Sequence, residues 1–251
     1  MSSELATVDI ERLVRGVFRD EWMAKTGIGG VLTAAGLVAI LYSFSFVPIT
    51  VACWALIFGY ALRCMRVKIA NAEAKLPDWN DWGDLFLSGL TWIALQSIVW
   101  ALFGLVASLC LLFFVAFAFN LNNAALSIAL SVGSSILFLA SIALMAVLSA
   151  YVMVHFSLEE NARAGLAYIK VAQDLCKSPR ELISGFILAS SIQFLFVAIP
   201  CITIIGIFVL PSSYFVGTLI SAVVLARHWS SCNNINYTLP VPPPPATSAN
   251  D

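Results

Sequence analysis

Two arginines one helical turn apart, Arg63 and Arg66, and two aspartates at the same spacing, Asp81 and Asp84, are the residues best placed to act together. Residues three apart share a helix face, so each pair presents its charges as a unit. Between the pairs runs Leu76-Pro77-Asp78-Trp79-Asn80-Asp81-Trp82-Gly83-Asp84. Two chemistries fit. The arginines can pair with the aspartates, clasping the end of one helix to the start of the next. Alternatively, Arg63 and Arg66 bind lipid phosphates, with Trp79 and Trp82 anchored at the headgroup level, where an apolar ring and a polar N–H are both satisfied. The clasp is the expected arrangement, and the candidate site is Arg63, Arg66, Trp79, Asp81, Trp82 and Asp84.

No enzymatic constellation competes with this cluster. The chain contains no H-E-x-x-H, no G-x-S-x-G, no glycine-rich phosphate loop and no paired aspartates inside two helices. His155 and His228 each fall near a helix end, where water and the helix dipole accommodate an imidazole. The six cysteines, Cys53, Cys64, Cys110, Cys176, Cys201 and Cys232, form no C-x-x-C pair and no zinc-like spacing with the histidines. They read as small buried apolar residues. A Cys53–Cys201 pair stays open, because both fall near the same face of the membrane. A non-enzymatic protein without cofactor or metal is expected.

The elements that position the site follow from composition. Of 251 residues, 61% are apolar and 11% charged, and the mean hydropathy is +0.93. A soluble domain carries roughly a quarter charged residues, so the chain is read as an all-α, polytopic membrane protein. Its net charge of −1 gives no general attraction to nucleic acid, and the lipid bilayer is its first partner. Six spans are expected at about 27–45, 47–67, 85–119, 124–156, 180–200 and 203–229, forming three hairpins. The long uncharged stretch Thr26 to Leu62 is divided at Ser43 to Pro48, since proline suits the first turn of a new helix. Pro77 ends the second helix, and Asp78, Asn80 or Asp81 can cap the third. Whether the fifth span ends at Pro200 or Pro211 is left open.

Outside the spans, residues 1–26 are patterned. Ile10, Leu13, Val14, Val17, Phe18 and Trp22 recur at helical spacing, predicting an amphipathic helix that lies in the membrane interface or packs on the cytoplasmic side of the bundle. Five acids precede the apolar run, which excludes a signal peptide. Between the fourth and fifth spans, a partly amphipathic stretch runs through Leu166, Ile169 and Cys176. Residues 230–251 end in Pro242-Pro243-Pro244-Pro245 and are expected to be a disordered or polyproline II tail.

All 13 Lys/Arg fall before the first span, between the second and third, between the fourth and fifth, or at the end of the sixth. Short loops rich in Lys and Arg stay in the cytoplasm, so both termini are expected there. No Asp, Glu, Lys or Arg falls at the middle of a span, which argues against ion-coupled pumping and voltage sensing. The mid-membrane polar residues are Gln96, Gln193, Ser127, Ser131 and Ser135. The serines share one helix face, a pattern of close helix packing.

The order G-Y-x-x-R-x-x-R from Gly59 to Arg66, followed by L-P-x-W-x-D-W-G-D-L-F-x-x-G-L from Leu76 to Leu90, resembles the prokaryotic membrane family catalogued as domain of unknown function 4013. Phe18-Arg19-Asp20-Glu21-Trp22 and the stretch from Gly206 to Pro211 match in the same way, so the resemblance runs over about residues 10 to 230. It implies a prokaryotic cytoplasmic (inner) membrane and carries no catalytic residues over. The expected function is a scaffold, assembly or accessory protein acting through its cytoplasmic face, with membrane-protein partners or a second copy of itself. The alternative is a passive transporter or binder of a lipid or small apolar molecule, whose signature would be a polar path joining Gln96, Gln193 and the serines.

Overall fold

The computed structural model describes residue 18 and residues 22–71, 74–120, 124–159, 161–202 and 204–233, with backbone alone at 204–208 and 233. The expected N-terminal amphipathic helix and the proline-rich tail lie almost wholly outside these residues. Every regular element among the described residues is helical. They are α1 (Trp22–Tyr42), α2 (Val47–Ala70), α3 (Trp82–Phe119), α4 (Ala124–Glu159), α5 (Tyr168–Lys177), α6 (Pro179–Ile202) and α7 (Ile204–Asn233), with single 3₁₀ turns at Phe44–Phe46 and Ala164–Leu166. All but α5 are long and apolar enough to cross a membrane, giving six candidate spans.

Small residues decide how closely these helices approach. The buried stripe of α1 is Thr26, Gly29, Gly30, Thr33 and Gly36. Without a hydrophobic drive between helices inside lipid, close backbone approach and hydrogen bonding hold them together. Gly29 therefore lies against the Phe215 ring and Gly30 against Ser212 of α7, while Gly36 meets Cys53 and Trp54 of α2. Thr50 Oγ1 of α2 donates to the Gly36 carbonyl at 3.1 Å. The turn between α1 and α2 is set by Ser43, whose hydroxyl accepts from Ser45 N–H at 3.2 Å, and by proline in the first turn of α2.

The tightest contact is reciprocal. A Cβ built on Gly59 of α2 would lie 1.9 Å from the Leu85 carbonyl oxygen, and one on Gly89 of α3 would lie 1.8 Å from the Ala55 carbonyl oxygen. The two backbones touch here with no side chain between them. Tyr60, Ala61, Cys64 and Met65 then fill the centre of the molecule from α2, and Phe215, Leu219 and Ala226 fill it from α7. Tyr151, Val152 and Val154 of α4 and Leu85 of α3 join this core at the polar end, and the far halves of α3 and α4 stand at the periphery. No residue of the most apolar window of α3 is buried, and Leu102, Leu105, Leu109, Leu112 and Phe113 are exposed.

Several helix ends depart from the expected ones. α1 begins at Trp22 rather than near Gly27, and α7 continues to Asn233, beyond Trp229. α6 ends at Ile202, with Pro200 inside its last turn, and α7 begins at Ile204 with Pro211 in its interior. The amphipathic stretch between α4 and α6 also turns the other way. Leu166, Ile169 and Cys176 are exposed, and Val171 and Leu175 are the buried face of α5. The correct face is i, i+4 from Val171. Leu166 falls before that helix begins, in a 3₁₀ turn with its own period.

Candidate functional site

The ends of α2, α4 and α7 and the starts of α1, α3 and α6 lie at one end of the bundle, the polar end. Across it runs the segment from Ala74 to Asp81, which has no regular structure. A segment without ladder or helix must find donors for its carbonyls elsewhere, and the basic residues supply them. Lys68 Nζ donates to the Ala74 carbonyl at 2.6 Å, and Lys25 Nζ donates to that of Leu76 at 2.7 Å. Tyr60 Oη donates to the carbonyl of Pro77 at 2.8 Å, and Arg63 Nη1 to that of Asn80 at 3.1 Å. The lysines and arginine that mark the basic side of the membrane thus also clamp this strap onto α1 and α2.

Trp79 is the plug of the strap. Its ring stacks on Tyr60 with centroids 4.0 Å apart and planes 2° from parallel, and it packs on Trp82 at 5.5 Å and Phe215 at 5.9 Å. Its Nε1–H donates to the Lys25 carbonyl at 2.8 Å. Both the ring and the N–H of the indole are therefore engaged within the protein, so Trp79 is a packing residue of the strap. Trp82, by contrast, is 44% exposed. Lys25 also meets Asp78 at 2.7 Å. The hydrogen bond from Lys25, and then its charge, hold the exposed Asp78 carboxyl below the ordinary carboxylate range. A depressed pKa means the tie is complete at neutral pH and is lost as pH falls through that lowered value.

The arginine pair is divided. Arg63 Nη2 lies 3.0 Å from Asp84 Oδ2 and 3.9 Å from Asp81 Oδ2, and its Nη1 also donates to Asn80 Oδ1 at 2.6 Å. Arg66 turns toward α4 and donates Nε–H to the Ser157 carbonyl at 2.9 Å. Its expected place against an aspartate is corrected accordingly: one turn at 100° per residue leaves the two arginines about 60° apart, enough to reach different helices. Asp81 precedes α3 with φ 52° and ψ 49°, and its side chain makes no capping bond. The left-handed backbone, uncommon outside glycine, asparagine and aspartate, turns the strap into the helix. Since Arg63 pairs most closely with Asp84, the charge exchange that probes the clasp is Arg63→Asp with Asp84→Arg. Each single change is expected to lower the melting temperature in detergent, and the double exchange to recover roughly 1 kcal/mol. Absence of recovery would mean that the pair adds nothing beyond the clamp.

The mid-membrane polar residues do not connect. Ser134 and Ser135 both donate to the Ser131 carbonyl of their own helix, and Gln193 Nε2 reaches the Tyr214 carbonyl at 3.4 Å. Gln96 faces a third direction, with its Oε1 accepting from Tyr168 of α5. Cys53 and Cys201, left open as a pair, are both free thiols. No cluster of three or more His, Cys, Asp or Glu suited to a metal occurs among the described residues.

Six apolar spans in one bundle, tied across a polar end by a clamped strap, define a multi-pass membrane protein. The chain belongs to the family described as protein of unknown function DUF4013, whose model matches residues 41–209. That match takes in α2 through α6 and the whole strap, and it is shorter at both ends than the extent expected from the motifs. No curated protein and no solved structure matches the chain.

Proposed function

We propose that this protein is a non-enzymatic scaffold or assembly protein of a prokaryotic cytoplasmic membrane, with both termini in the cytoplasm and the strap as its partner-facing surface. The carrying observation is the clamped strap. Donors from α1 and α2 fix its backbone, Trp79 fixes its underside, and Asp78, Asp81, Asp84 and Trp82 remain on the outside with side chains 74%, 70% and 62% exposed for the three aspartates. A surface held in one shape before its partner arrives loses little ordering entropy on binding. The exposed aromatic beside carboxylates suits a protein contact, in which aromatic anchors dominate the energetics.

The alternative, a binder of a lipid or small apolar molecule, draws on the Gln96 amide. Its Nε2 is buried without a hydrogen-bond partner among the described residues. The separate directions taken by Gln96, Gln193 and the α4 serines speak for scaffolding over transport. The two readings part in native membranes with a photoreactive amino acid at position 82, and at position 44 as the control. Discrete protein adducts at position 82, absent at position 44, are expected; lipid adducts alone at both would overturn the scaffold reading. The orientation has its own measurement. With the other cysteines replaced, Cys176 should react with a membrane-impermeant maleimide in inverted vesicles and not in right-side-out ones.

A further inference from the structure

The short helix α5 is held against the long helices by side chains. The segment leading into it packs closely, since a Cβ on Gly165 would lie 2.6 Å from Leu95 Cδ1. Tyr168 hydrogen-bonds Gln96 of α3 and Ser149 of α4, and Val171 and Leu175 are buried beneath the helix. Two residues beyond Tyr168, Lys170 Nζ lies 3.2 Å from His155 Nε2 on α4. The same Nε2 lies 3.4 Å from Glu159 Oε1, and Lys170 Nζ is 3.9 Å from that oxygen. The His155 side chain is 8% exposed and that of Lys170 60%.

The Lys170 contact suits the neutral ring and the Glu159 contact the protonated one. An ammonium group has donors and no acceptor, so the Nε2 it meets must offer its lone pair. His155 is then neutral, with its hydrogen on Nδ1. A second proton has only Nε2 to occupy. Once there, it replaces a hydrogen bond between α4 and α5 with two cations at the same separation, and the new N–H has Glu159 as its acceptor one turn along its own helix. The remaining charge on α5 felt by the ring is Asp174, which Lys177 already engages at 2.7 Å. The inter-helix tie thus becomes a tie within α4.

We propose that α5 is a proton-released flap: neutral His155 holds it through Lys170, and protonated His155 lets it go, uncovering its Val171–Leu175 face. This reading is independent of what the polar end binds. Histidine is the side chain whose charge ordinarily changes between about pH 5 and pH 8, and that is the range the test covers.

Hydrogen exchange of the amides at 168–177, measured on the full chain in lipid nanodiscs, tests the proposal. Dividing the wild-type rate by that of His155→Gln at the same pH cancels the intrinsic pH dependence of exchange. The ratio should rise by at least about fivefold as pH falls from about 8 to 5, a coupling at the lower end of those that link two sites. A flat ratio overturns the proposal. Lys170→Met, at an exposed side chain, gives the second reading and serves as the reference if His155→Gln does not fold. Its own exchange, corrected for intrinsic rates, should show no such rise. A rise in Lys170→Met equal to that of the wild type would show that the lysine is not the lever, and would also overturn the proposal.

Discussion

Alanine at Gly59 or Gly89 should unfold or grossly destabilise the protein, although each change adds one methyl group. The methyl carbon would sit 1.9 Å or 1.8 Å from a backbone oxygen of the facing helix. A flexible side chain can swing aside from such a contact; a helical carbonyl cannot. Relief requires α2 and α3 to move apart, and that motion strains the strap joining them, with Arg63 on one side and Asp84 on the other. Overpacking typically costs about 1–3 kcal/mol where neighbours can shift, and the loss here should exceed that. Gly104→Ala and Gly133→Ala are the controls, since a Cβ at either meets nothing within 4 Å. Alanine there removes a helix-weakening glycine, worth about 1 kcal/mol in water, so those variants should be as stable as the parent or more so. Thermal unfolding followed by size-exclusion chromatography in detergent separates the two sets. A melting temperature for Gly59→Ala equal to that of Gly104→Ala would show that the helices separate freely.

The second large effect is expected from Trp79→Ala. Loss of a fully buried aromatic side chain generally costs about 3–5 kcal/mol, and for the half-buried Trp79 the lower end of that range applies. Here the indole also joins Tyr60, Trp82 and Phe215 into one stack and bonds α1 through the Lys25 carbonyl. Removing it takes a second donor from that helical carbonyl and leaves Tyr60 with an empty face, while the lysine and arginine clamps still hold the strap at its edges. The outcome should be a lower melting temperature together with faster proteolysis between Ala74 and Asp81. Trp79→Phe keeps the stack but not the N–H, and should recover part of the loss. If Trp79→Ala is as protease-resistant as the parent, the strap is fixed by its carbonyl clamps alone.

Helices and breaks were readable because they depend on local chemistry. Pro48 starts α2, a polar run around Pro77 separates α2 from α3, and Asn120 closes α3. The juxtaposition of Arg63 with Asp84 was readable too, from two charged turns flanking one short connection. Three features depended on geometry between helices and had no such signal. Gly59 and Gly89 meet only because α2 and α3 cross at one angle, and each alone looks like any membrane glycine. The inward course of Trp79 needs Tyr60 and Phe215 to form its slot, and Phe215 lies far along the chain. Lys25 and Lys68 marked a side of the membrane in the charge pattern, yet their ammonium groups also hold carbonyls of the strap. Both roles draw on the same charge, so the pattern could reveal one without the other.

The length of the α3–α4 hairpin constrains the membrane around it. From Leu85 to Phe119, α3 carries no charged residue over 35 positions, about 52 Å of helix, against a hydrocarbon core of about 30 Å. Even a lean of about 40°, at the upper end of what membrane helices adopt, leaves roughly 40 Å to be matched. The excess is met by lipids stretching beside this hairpin or by its polar-end turns standing clear of the core beside α5, along one flank of the molecule only. The protein therefore meets the bilayer unevenly, with a longer apolar wall at α3 and α4 than at the 21 residues of α1. Hydrophobic mismatch of this kind favours thicker bilayer regions, and it makes the angle of the hairpin a function of the lipid in which the protein sits.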